Sequence, residues 1–300
     1  MLAKLTQPSS PHSMDGMDMG DSSMGDMPGM GGTGSSDSPF GDAGDVTYPH
    51  FLINGRVATA PDVLRAKPGQ RVRLRVINAS ADTIFVVALG GHRLEVTHSD
   101  GFPVRPRATD AFYIGMGERY DAVVTLHDGA FPLVAKPVGK NGQALANIRT
   151  GSGTGPTPDA KIPELGRMVL MGAELAPAES SLLPSREVDQ SVSLTMSGQM
   201  SPYAWAINGE PYPKNDPVAI SEGKRVAVEL TNMTMMTHPM HIHGHTFALP
   251  NGLRKDTVLL KPMQELTVTL QADNPGNWAA HCHNIYHAEA GMMAALTYQS

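Results

Sequence analysis

Two short segments near the end of the chain hold most of the side chains that bind transition metals. The first reads His238-Pro239-Met240-His241-Ile242-His243-Gly244-His245. The second reads His281-Cys282-His283-Asn284-Ile285-Tyr286-His287, followed by Ala288-Glu289-Ala290-Gly291-Met292. Most of the 12 histidines and the single cysteine lie here. In an extended strand, residues two apart share a face and immediate neighbours point to opposite faces. His281 and His283 therefore point one way and Cys282 the other, so one strand serves two sites back to back. His287 and Met292 follow Cys282 through a loop long enough to return to the thiolate side. One Cys, two His and a weak axial Met make the ligand set of a blue-copper site. His238 is the natural second imidazole, because His241 and His243 are two apart and can face the other site. Soft sulfur donors select copper over magnesium, calcium or manganese. Zinc also uses Cys and His, but its structural sites show paired spacings rather than this alternation. A solitary His or Met is usually core filler; this concentration calls for a metal.

Together the two segments resemble the C-terminal copper signature of the multicopper oxidases, the laccase-like family. The resemblance implies that His238, Cys282, His287 and axial Met292 hold a type 1 copper that accepts electrons. It assigns His241 to a type 2 copper and His243, His281 and His283 to a type 3 pair where dioxygen is reduced. The path from Cys282 to its flanking histidines would carry electrons between the centres. It also implies a phenolic, amine or metal-ion electron donor and a periplasmic or extracellular setting. Met1 to Pro8 carries no apolar stretch of the kind a secretory leader needs, so no such leader is expected within this sequence.

The elements that must position these residues read as strands. The composition, with Gly 31 and Pro 24 in 300 residues, suits a turn-rich all-β protein. Arg71-Val72-Arg73-Leu74-Arg75-Val76-Ile77 alternates polar and apolar as a half-buried strand does. Further strands are expected over 51–56, 84–89, 92–97, 111–114 and 121–126, and no long stretch has helical periodicity. A net charge of -6 without a basic run excludes a nucleic-acid surface. No apolar run approaches the roughly 20 residues of a membrane span. Residues 1–45 are rich in Gly, Ser, Asp and Met, and too poor in branched apolar residues to offset ordering entropy, so disorder is expected there. Met14, Met17, Met19, Met24, Met27 and Met30 could form a transient Cu(I) or Ag(I) binder or simply a flexible linker.

An internal repeat organises the rest. Ile53-Asn54-Gly55 recurs as Ile207-Asn208-Gly209, and at the same offset of 154 Gly69 recurs as Gly223, Arg71 as Arg225 and Asn78 as Asn232. Two cupredoxin-like Greek-key β-sandwich domains are therefore expected, at 46–150 and 166–300, joined by a Gly/Thr/Pro linker at 151–165. The second copy continues after Asn232 into the histidine segment; the first continues after Asn78 with no histidine. The family builds its oxygen-reducing cluster from H-x-H pairs of two domains, and the resemblance places only His241/His243 and His281/His283 of that set here, the overlapping His243/His245 not being among them. His98 and Gly115 to Asp121 resemble the middle domain of three-domain members. The expectation is a chain covering the middle and last domains, with the partner half of the cluster supplied by a first domain upstream or by self-association. A copper oxidase, a blue-copper electron carrier and a truncated, inactive product then differ in copper content. Isolated His92 and His98 read as hydrogen-bonded structural residues. His245 reads as a support for a ligand, and Glu289, ahead of Asp256, as a candidate for proton handling or for orienting a ligating His.

Overall fold

The computed structural model describes residues 38–41 and 44–299. The six methionines of the N-terminal run lie outside the described residues. Two β-sandwiches follow one another, as the repeat predicted. In the first, a six-stranded sheet runs in the order Val169–Leu170, Ala111–Ile114, Phe85–Leu89, Ala130–Pro137, Ala144–Arg149, Asp62–Arg65. A four-stranded sheet packs on it in the order Arg71–Ile77, Arg119–Thr125, Leu94–Ser99, Phe102–Thr109. Arg71–Ile77 shows the expected alternation, with arginines exposed and Val72, Leu74 and Val76 turned inward. Phe102–Thr109 was not foreseen, because Pro103 and Pro106 speak against a strand; it is tolerated at the sheet edge, where a missing N–H breaks no ladder.

The second sandwich pairs a six-stranded sheet, from Tyr203–Ile207 and Gln190–Met200 through Arg225–Asn232 and Glu265–Gln271 to Phe247–Ala248 and Arg254–Lys255, with a five-stranded one. The five-stranded sheet runs Val218–Ser221, Met293–Gln299, Asn277–Cys282, His238–Ile242, Thr257–Leu260. Both histidine segments thus lie on adjacent antiparallel strands, in the register Met240 opposite Cys282 and His241 opposite His281.

Asn78 and Asn232 explain why the repeat retains these residues. Asn78 donates to the carbonyls of Thr83 and Ile114, and Asn232 to those of Met236 and Leu260, so each amide closes the same corner. Asn54 and Asn208 both sit in the left-handed region, at φ 50° and 56°, with a glycine following each.

Two boundaries differ from expectation. Val169–Leu170 pairs in parallel with Ala111–Phe112, and Ala178 donates to Pro103. The stretch after residue 166 therefore still belongs to the first sandwich, and the second begins its own strands at Gln190. The expected disorder also extends too far. Phe40 is completely buried, and Asp45 lies in contact with the second sandwich. Phe40 and Asp45 thus pack against the folded sandwiches, although composition alone describes their surroundings as solvated.

Candidate metal centre

His238 opens its strand, Cys282 closes the adjacent one, and His287 sits in the single helical turn Ile285–Glu289. Asn284 starts that turn by accepting the Tyr286 N–H at 3.0 Å, which meets one of the donors a helix start leaves free. The result is a triad of buried donors. His238 Nδ1 and His287 Nδ1 are 3.0 Å apart, and each is 3.6 Å from Cys282 Sγ. Atoms that share one ion at roughly 2.0–2.3 Å are separated by about this much. Met292 is fully buried, and its carbonyl accepts the Cys282 N–H at 3.1 Å. Gly291, at φ 117°, makes the return possible: a Cβ there would stand 2.6 Å from the Trp205 carbonyl.

The outer nitrogens are taken, which turns both inner ones toward the common point. Thr234 Oγ1 lies 2.8 Å from His238 Nε2, and Asp45 Oδ2 lies 2.9 Å from His287 Nε2. Such partners fix the tautomer and ring orientation of a ligating His. Burial works to raise Asp45, but hydrogen bonds from His287 and Tyr203 outweigh it and hold the carboxyl below its usual range. Burial also drives His238 well below the imidazole range and pushes the Cys282 thiol up. Burial thus favours the uncharged forms of His238 and Cys282, and a metal must displace the thiol proton to bind. The residues fit copper: one soft sulfur and two imidazoles in a dry pocket.

On the opposite face, His241, His243 and His281 bring ligand atoms within 4.8 Å of one another. His243 Nε2 and His281 Nε2 are 2.9 Å apart. His283 joins this face less closely, its ring 5.8 Å from those of His241 and His281. It packs against Gly117, where a Cβ would stand 2.5 Å from its ring. Six of the eight expected ligands thus form two groups on either side of one strand, His238, Cys282 and His287 on one and His241, His243 and His281 on the other. His281 Nδ1 stands 2.8 Å from the Cys282 carbonyl, and burial first of all brings this imidazole down to about 4.

His245 contacts neither cluster's centre; it is held by Tyr298 OH at 2.6 Å and the His243 carbonyl at 3.0 Å. His92 and His98 are satisfied within the first sandwich. Of the two acids singled out, Asp256 rather than Glu289 supports a ligand. Its carbonyl is 2.8 Å from His241 Nδ1, and its carboxylate meets Arg119 of the first sandwich at 2.5 and 2.7 Å. Glu289 is exposed. Beside Asp256, Lys255 is buried among Asp100, Glu118, Ser99 and Tyr120, all from the first sandwich. Asp45, Thr234 and Arg119 were not found from sequence, because nothing in their spacing ties them to the ligands.

Two family models, each describing a multicopper oxidase, match residues 33–153 and 185–300. The multicopper oxidase MmcO of Mycobacterium tuberculosis is 47% identical over 263 residues, covering 86% of this chain and 52% of that protein. A copper resistance protein A homolog of Pseudomonas syringae is 27% identical over 344 residues, with 84% and 58% covered. The crystal structure of Fet3p, a multicopper oxidase that functions in iron import, shares the fold at a TM-score of 0.70 and 19% identity, with 79% and 57% covered. The chain spans a little over half the length of these relatives. With matches across both sandwiches and one relative so similar, this chain belongs to the multicopper oxidase family, whose metal is copper.

Proposed function

We propose that this chain accepts electrons from a phenolic, amine or metal-ion donor at the Cys282 cluster and passes them to dioxygen at a cluster of which it builds half. The observation that carries the reading is the shared strand: Cys282 faces His238 and His287, while His281, its neighbour, faces His241 and His243. Copper, when bound, supplies one-electron redox chemistry at the first site and dioxygen binding and reduction at the second. The chain's own residues do the rest. Thr234 and Asp45 orient the two imidazoles, and burial excludes water from the thiolate. The Cys282 carbonyl against His281 Nδ1 ties the two sites into one covalent and hydrogen-bonded path. Asp256, anchored by Arg119, holds His241.

His241, His243, His281 and His283 supply only part of an oxygen-reducing centre. The remaining imidazoles come from a further domain, in the same polypeptide or in another. Oxygen uptake with a phenolic donor tests this. The chain alone consumes oxygen slowly or not at all, and uptake rises when a polypeptide covering the rest of a full-length relative is added. Brisk uptake by the chain alone, or none after that addition despite full copper loading, overturns the reading.

A further inference from the structure

The two sandwiches differ at one edge, and the difference leaves an apolar cleft. In the second, Gln190–Met200 lies between Arg225–Asn232, which it pairs in parallel, and Tyr203–Ile207, which it pairs antiparallel. The repeat offset maps the two flanking strands onto 71–78 and 49–53 of the first sandwich. There, among the described residues, Arg71–Ile77 pairs only with Arg119–Thr125 and forms the edge of its sheet. Leu52–Ile53 pairs only with Arg56–Val57. Between these edges opens a cleft of about 710 Å³, with Phe85, Val87 and Leu133 of the core among its lining. Large apolar side chains mark its lips, Leu52 at 52% and Ile77 at 65% exposure.

In the chain's nearest counterpart of Gln190–Met200, the described residues Phe40 and Asp45 are engaged elsewhere. By the same offset it falls at 36–46, where Phe40 is buried and its carbonyl accepts from Thr237, and Asp45 holds His287. The Phe40 ring packs on Tyr113 of the first sandwich, so Phe40 bridges the sandwiches, and neither it nor Asp45 lines the cleft. An open edge beside an apolar groove is what an added strand recognises: main-chain hydrogen bonds along the edge and pockets for alternate side chains.

We propose that this cleft seats an extended β-strand of about seven residues, contributed by polypeptide outside this chain and laid parallel to Arg71–Ile77. Its specificity follows from the paired copy. Val192, Leu194 and Met196 turn inward there and Ser191 and Ser193 outward, so the incoming strand carries apolar residues at alternate positions. Its outward residues are acidic or hydroxylic, because Arg71, Arg73 and Arg75 line that face and Arg73 and Arg75 share one carboxylate, Asp121, at 3.2 and 3.9 Å. A second copy of this chain is a poor occupant: its matching edge would set like charges opposite one another. The longer relatives carry roughly as much chain again from which such a strand can come.

The test needs no copper, so it stands apart from the proposed function. The probe is a labelled peptide copying Gln190–Met200 with Ser191→Glu and Ser193→Glu, titrated against the full chain by fluorescence anisotropy. Saturable binding of one peptide per chain is expected, with amide exchange of residues 71–77 slowed at least tenfold. A peptide of the same composition with its apolar residues made consecutive does not bind. Leu74→Lys weakens binding at least tenfold. Because Leu74 is partly buried, the surface variant Arg73→Glu/Arg75→Glu provides a second arm, losing the acidic peptide and gaining one with lysines at the same positions. No saturable binding to the folded chain, or binding that leaves 71–77 unprotected, overturns the proposal. So does peptide-free dimerisation that protects these amides, or deprotection of 71–77 on deleting residues 1–37, since either places a different strand in the cleft.

Discussion

Replacing Lys255 with Met isolates the work done by the first sandwich, because Lys255 belongs to the second and its partners to the first. Its Nζ lies 3.0 Å from Asp100 Oδ2, 3.1 Å from Glu118 Oε1 and 2.9 Å from Ser99 Oγ. The lysine and both carboxylates are almost wholly buried, at 1%, 0% and 4% side-chain exposure. Asp100 keeps a second cation in Arg119 at 3.5 Å, whereas Glu118 is left with the Gly115 N–H and Tyr120 OH. Removing one partner of such a cluster leaves a buried charge uncompensated and costs roughly 3–5 kcal/mol. For a chain of this size each kcal/mol lowers Tm by about 2–4 °C, so a fall of roughly 6–20 °C is expected. Burial works against the charge on Lys255, but Asp100 and Glu118 outweigh it and hold the group well above its ordinary value. A raised group contributes fully below its unfolded pKa of about 10.4 and loses that only as pH rises through the folded value, so the deficit is flat across neutral pH. The assay is thermal unfolding of the metal-free chain, with Lys255→Met/Glu118→Gln as the companion. The double variant recovers at least half of the loss. A fall below about 2 °C, or no recovery in the double variant, refutes the assignment of Lys255 as the charge that joins the sandwiches.

Three further outcomes follow from the ligand supports. Asp45→Ala frees the outer nitrogen of His287 and lowers copper affinity at the Cys282 cluster by about 10–100-fold, read by competition with a chelator; unchanged affinity contradicts that support. Met292→Leu keeps the copper and raises its potential, because an axial thioether is a long, weak ligand that tunes rather than holds; potentiometry of the loaded chain decides, and loss of the copper would make Met292 a primary ligand. Arg119→Ala releases Asp256 and weakens copper held at His241, His243 and His281 while the visible band of the Cys282 cluster stays; equal loss at both sites would show a general unfolding instead.

The two groups of donors, His238/Cys282/His287 and His241/His243/His281, were legible because their chemistry is written in nearby residues. A His-Cys-His alternation in a strand presents sulfur to one face and imidazoles to the other, whereas the register of Met240 opposite Cys282 emerges only with the fold. The sandwiches were legible through Asn78 and Asn232, whose amides close equivalent corners. The supports were not, because each reaches its ligand across a long stretch of chain. Asp45 stands far from His287 in sequence, and a lone Asp in a Gly-rich segment carries no periodicity. Arg119 and Asp256 meet only once both sandwiches are folded. Glu289 drew attention by its closeness to Met292 in sequence, yet the helical turn ending there points it to solvent while it buries His287.

Copper content of the purified chain, measured with its visible spectrum and compared with Cys282→Ser, tests the two-cluster arrangement most directly. The arrangement predicts one firmly held copper per chain with strong absorption toward the red, abolished by Cys282→Ser, and only weakly held copper beyond that. Persistence of the band in Cys282→Ser, or four firmly bound coppers in the chain alone, would contradict it.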